Sequence, residues 1–223
     1  MTLGISPMRY VDDDAHDLAV VSLRGYFASE IYTGAWFEEM IDSSSPFEIT
    51  AKDIVAVTAL GVDIPVRASH WMLDEGRDEI SEHLSAIEPE AKIWGETDLS
   101  PTGNAWLLWN RLSEIHGLGA TKTSKLLSAK RPHLLPIWDQ HVVTGLRPAK
   151  GDYWLGWRDS LASDSGELLR QTCETLREEA SVPESVSLLR ILDVVIWMRV
   201  HGHKWLPESD QEQYRAAPEV WIK

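Results

Sequence analysis

Two stretches of the chain hold the residue types that chemistry draws on. The first is Ile115-His116-Gly117-Leu118-Gly119-Ala120-Thr121-Lys122-Thr123-Ser124-Lys125-Leu126-Leu127, where one predicted helix ends and another begins. Glycine admits positive φ and lets the backbone come close to a neighbour. Leu118, between the two glycines, plugs the angle between the helices. The first N–H groups of the second helix lack intrahelical partners and lie at the positive end of its dipole. Such an end binds a phosphate through backbone alone. Ala120, Thr123, Ser124 and Leu127 give a small-residue face toward the first helix, and Lys122 and Lys125 are expected to point away, toward a nucleic-acid backbone. The candidate DNA contacts are therefore Gly117, Leu118, Gly119, Thr121, Lys122 and Lys125.

The second stretch is Leu135-Pro136-Ile137-Trp138-Asp139-Gln140-His141-Val142, with Asp139 placed 20 residues after Gly119. An aspartate after a Pro-containing loop is a good helix N-cap whether or not it does chemistry. The surrounding charge is unusual for this chain. From Arg111 to Lys150 there are seven basic residues against two acids, about +5, although the whole chain carries −14 and the remainder therefore about −19. A basic stripe on an acidic body marks a local contact with a polyanion or an ordinary solvated helix face. The overall charge excludes a protein coated in phosphate-binding surface, and the acidic remainder leaves a protein partner open.

Other reactive residues carry less. His201-Gly202-His203 has no acid or cysteine at ligand spacing, so no metal site is expected, and no cofactor motif is present. His141 reads as a packing or hydrogen-bonding residue. The single cysteine, Cys173, shares a helical face with Leu169 and Leu176 and reads as an inert core thiol. One cysteine excludes an internal disulfide and a four-cysteine cluster. Eleven tryptophans are mostly core anchors. One or two of them can line a pocket that stacks a planar ligand.

The elements that must position these residues are helical. Thr50 with Asp53 forms a capping box before an apolar run through Leu60, read as helix over strand. Ser29–Ile41 is a weaker helix, interrupted by Gly34. Ile80, Leu84 and Ile87 fall on one helical face ended by Pro89. Helices follow over Gly103–Ile115, Ala120–Ala129, Asp139–Leu146 and Asp152–Leu161, then through Leu169, Cys173 and Leu176. Val186–Val200 is apolar nearly all round except for Ser187, Arg190 and Asp193, the pattern of a buried central helix. No strand alternation occurs. The expected fold is all-α, with the segments before and after the hairpin packing as two helical lobes within one domain over 1–223. No signal peptide or membrane span is read, which implies a cytoplasmic location.

The pairing of the two stretches resembles the helix-hairpin-helix DNA glycosylase superfamily, which includes endonuclease III and the adenine glycosylases. The hairpin Gly117-Leu118-Gly119 matches their Gly-x-Gly turn, and Asp139 stands at the separation where they place a catalytic aspartate. Pro136-Ile137-Trp138-Asp139 resembles the adenine-glycosylase form, and Asp139-Gln140-His141-Val142 the endonuclease III form. The likeness covers about 40 residues of 223. The whole chain is identified as a member of an uncharacterised bacterial family that shares this core, a membership that brings no activity with it.

The resemblance implies a base flipped into a pocket, stacked on an aromatic such as Trp138, with Asp139 stabilising the sugar cation or activating water. The departures refine this. His116 stands where the superfamily commonly has proline. Thr121 occupies the position of the Schiff-base lysine of lyase-type members, and Lys122 is turned about 100° further around the helix. The resemblance therefore implies a monofunctional enzyme. Val143-Thr144 replaces a segment where a basic residue is frequent, which implies reduced grip on DNA. Two other readings stand beside the enzyme: a helix-hairpin-helix module that binds DNA without chemistry, and a scaffold reused for protein contacts.

Overall fold

The computed structural model describes residues 3–28, 30–151, 153–206 and 208–216. Ser29 and Asp152, the first residues of two predicted helices, lie outside the described residues. The described chain is helical, without strands; its one isolated bridge pairs Leu3 with Pro148. No described helix is long and apolar enough to cross a membrane. The chain divides into two compact units. One is drawn from both ends, Met1–Tyr32 with Asp139–Lys223, and the other is the middle, Thr33–Trp138.

The terminal unit begins with a 3-10 turn at Pro7–Tyr10, followed by α1 (His16–Phe27). In the middle unit, α2 is a single turn (Phe37–Met40) preceded by a 3-10 turn at Thr33–Trp36. This corrects the expected continuous helix over Ser29–Ile41. The buried Gly34 lies in the 3-10 turn, where its low helix propensity favours the interruption. Next comes α3 (Ala51–Thr58), opened by the expected capping box. Asp53 Oδ2 accepts the Thr50 N–H at 2.8 Å while Thr50 Oγ1 accepts the Asp53 N–H at 3.4 Å. Two short helices follow, α4 (Val66–Leu73) and α5 (Arg77–Ser85). The unit closes with α6 (Asn104–Ser113) and α7 (Gly119–Lys130), which pack on each other, and α7 also packs on α3.

The terminal unit resumes with α8 (Gln140–Leu146), α9 (Tyr153–Ala162), α10 (Asp164–Ala180), α11 (Leu188–Val200) and α12 (Glu208–Ala216). Its centre is α11, which packs against α1, α8 and α10. The polar stripe on α11 is inside the protein. Ser187 caps the helix by accepting the Arg190 N–H at 3.1 Å, and the Arg190 guanidinium pairs with Asp193 and donates to the Tyr26 hydroxyl at 2.6 Å. Three polar residues are thus accommodated in an apolar helix because each finds a partner. No helix is predicted from sequence at α1, α4 or α12. The start of α4 has no side-chain cap, and only Ala68 and Met72 of it are buried, so its pattern is thin.

Candidate functional site

The turn between α6 and α7 is built by its glycines. Gly117 has φ +87° and Gly119 has φ +60°, both in the region that other residues adopt rarely. A Cβ on Gly117 would fall 2.7 Å from Pro65 Cγ, so this position also needs a bare backbone for contact. Gly119 faces open space and needs glycine only for its φ. Gly117, Gly119 and Ala120 are exposed, Leu118 is buried as the plug, and Thr121 and Lys122 are half-buried. The exposure of Ala120 removes it from the expected small-residue face, which is carried by Thr123, Ser124 and Leu127.

The basic window turns largely inward. Lys125 is only 5% exposed and donates from Nζ to the Leu60 carbonyl at 2.8 Å. The expectation that Lys125 reaches a phosphate is thereby corrected: its ammonium satisfies a carbonyl just beyond the end of α3, where the helix leaves acceptors unpaired. Lys130 pairs with Asp53 at 2.5 Å and donates to Asp42 O and Ser45 O, each at 3.1 Å. Arg131 is fully buried and donates to Leu84 O, Ile87 O and Pro46 O, which gathers the end of α5 and a loop. Burial lowers its pKa to about 10. Lys122 donates to Gly117 O at 2.8 Å, closing the turn it follows. Arg111 pairs with Glu79 at 2.8 Å and lies over the Trp71 ring.

Asp139 is the N-cap of α8. Its extended backbone, φ −112° and ψ 139°, lets Oδ1 accept the His141 N–H at 2.8 Å. The carboxylate is half-buried. Trp138, the expected base-stacking residue, is half-buried too, and its N–H donates to Ser124 Oγ at 2.9 Å. That hydrogen bond fixes the loop end to α7.

The surroundings of Asp139 within the terminal unit leave no mark in the local sequence. The His141 ring stacks on the His201 ring with centroids 3.7 Å apart and planes 6° from parallel. Trp205 meets His201 edge-on at 4.9 Å, and Trp197 meets it at 5.9 Å. Trp197 also lies 5.4 Å from Trp205 and 5.8 Å from Tyr32. Trp205 is 54% exposed, so this aromatic group opens to solvent. Burial holds His201 below the ordinary imidazole range, helped by His141 and Lys204, while Asp139 pulls it upward. The Tyr153 phenol is raised well above its usual value by burial, then by Asp193, with Asp139 adding to the effect. The two residues of the His201-Gly202-His203 pair diverge: His203 stacks on Tyr214 and its Nδ1 lies 2.9 Å from Met198 O. The signal available in sequence was only that His141 follows a capping aspartate and that His201 ends a buried helix. Nothing local says that α8 and α11 bring the two rings together.

Among the described residues no group of three or more His, Cys, Asp or Glu is disposed to hold a metal ion. No curated protein and no solved structure matches the chain. A model for a family of unknown function, DUF6308, matches residues 19–200, which spans most of the helical chain and takes in both the two-glycine turn and Asp139. The chain therefore belongs to the DUF6308 family.

Proposed function

We propose that this protein is a monofunctional N-glycosylase acting on a flipped base, with Asp139 as the group that stabilises the sugar cation or activates water. The observation that carries the reading is the state of Asp139. One carboxylate oxygen is fixed by the cap bond to His141 at 2.8 Å, while the half-buried group keeps access to solvent beside a cluster of aromatic rings. A carboxylate whose direction is set before substrate arrives needs little reorganisation as charge develops. The lysines of α7 support a monofunctional reaction. Thr121 stands in the lyase position, Lys122 is engaged at Gly117 O and Lys125 at Leu60 O, so neither amine is poised for a Schiff base. Contact with DNA falls to the exposed turn, Gly117 and Gly119, with Thr121 and Lys122. Few phosphates are then neutralised, and binding is weak with a shallow salt dependence.

One observation favours a second reading, a helix-hairpin-helix module that grips a partner without chemistry. The Asp139 cap bond is a complete structural role by itself, and Lys125, Lys130 and Arg131 are spent on carbonyls and Asp53. Release of free base from a panel of alkylated, deaminated and oxidised duplexes separates the two. The enzyme releases at least one base in a manner that depends on Asp139; the module releases none.

A further inference from the structure

The stacked imidazoles beside Asp139 come from opposite kinds of helix end. His141 is in the first turn of α8, and His201 is the C-cap of α11, whose N–H closes on Trp197 O at 2.8 Å. The rings lie face to face at 3.7 Å, with Trp205 and Trp197 against His201. Two imidazolium ions cannot share that geometry without strong repulsion, so the first proton bound opposes the second. The titratable and charged groups around His201 are His141 from α8, Asp139 before it, and His203 and Lys204 from the 3-10 turn at Gly202–Trp205. Asp139 attracts a proton to the stack; the others repel it. The carbonyl end of α11 also attracts one.

We infer that His141 and His201 form a one-proton pair that supplies the acid for bond cleavage at Asp139. The inference rests on the glycosylase reading for its reaction and on the ring geometry for the pair. In the step, the bond from C1′ to the base nitrogen breaks with its electrons leaving on nitrogen. That nitrogen takes the proton held by the pair. The oxygen of a water molecule bonds C1′, and the water proton passes to Asp139. Solvent then removes the proton from Asp139 and restores one to the pair. Because His201 is held below the ordinary imidazole range, its charged form grows as pH falls below that range. Base release accordingly rises from neutral toward mildly acidic pH.

The experiment is an NMR titration of the histidine ring protons in the full chain, with base release followed over the same pH range. In the wild type the two rings titrate as a coupled pair, in steps separated by more than about one pH unit. His201→Phe keeps an aromatic ring on His141 and leaves a single histidine step in place of the two; His141→Phe does the reciprocal and serves if the first variant folds poorly. Asp139→Asn lowers the His201 step. His201→Phe cuts base release by about 100-fold or more and removes its acidic rise. Independent titration of the two rings near their ordinary value overturns the pair. Unchanged release in both phenylalanine variants overturns its role as acid. Coupled titration in a wild type that releases no base from any duplex upholds the pair and overturns the glycosylase reading, and the acid role with it.

Discussion

The Lys125 ammonium donates to the Leu60 carbonyl at 2.8 Å, joining the second turn of α7 to the end of α3 inside the middle unit. Lys122, one turn earlier, is half-buried and bonded across its own turn to Gly117 O. The two lysines therefore separate in a stability measurement. Lys125→Met leaves a buried carbonyl without its donor and costs about 1–3 kcal/mol in urea denaturation. Lys122→Met costs under about 1 kcal/mol and instead weakens the DNA contact proposed for the turn.

The same lysines show where sequence stops being legible. Helix positions from α5 to α11 follow from apolar periodicity, glycine and capping residues, because those signals are local. The capping box at Thr50 and Asp53 is equally local, and both of its hydrogen bonds form. The destination of Lys125, Lys130 and Arg131 is not local. Each reaches carbonyls or a carboxylate more than 40 positions away in the chain, so a charge count reads them as surface. The His141–His201 stack is hidden for the same reason, being 60 residues apart in sequence and joined only by the packing of α8 on α11.

The pair Asp53–Lys130 is closed to solvent, with 0% and 1% of the side chains exposed and 2.5 Å between Oδ2 and Nζ. Removing one partner strands the other charge in the interior. Lys130→Ala is expected to cost about 3–5 kcal/mol. Replacing both by apolar residues of similar volume restores part of that loss, because the stranded charge is gone. A double-mutant cycle by chemical denaturation reads the coupling directly; additive single losses would show that the pair does not act as a unit.

The two turn glycines differ in a measurable way. Gly119→Ala is strained by φ alone and costs about 1–2 kcal/mol. Gly117→Ala is strained by φ and also places a Cβ 2.7 Å from Pro65, so its loss is larger. Pro65→Ala removes the atom in the way and recovers part of the Gly117→Ala loss without affecting Gly119→Ala. Equal losses at the two glycines would show that Pro65 does not confine the turn.

Cys173 is fully buried on α10, and burial raises its thiol pKa far above the ordinary value. The thiolate that reacts with disulfide reagents is therefore nearly absent in the folded chain. Ellman's reagent is expected to label Cys173 only as fast as the protein opens, with labelling accelerated by urea. Stoichiometric labelling within seconds under native conditions would contradict this placement.

Asp139 carries the functional account, and Asp139→Asn tests it with the least disturbance. Asparagine caps a helix nearly as well as aspartate, so the His141 N–H keeps an acceptor and stability changes by only a few tenths of a kcal/mol. What is lost is the negative charge that the proposed mechanism sets against the sugar cation. The decisive measurement is the rate of free-base release from the damaged-duplex panel by wild type and Asp139→Asn, with denaturation midpoint and DNA affinity measured on the same samples. Asp139 acting as proposed gives release by the wild type, loss of at least about 100-fold in the variant, and unchanged midpoint and affinity. Release that survives Asp139→Asn at the wild-type rate would contradict it.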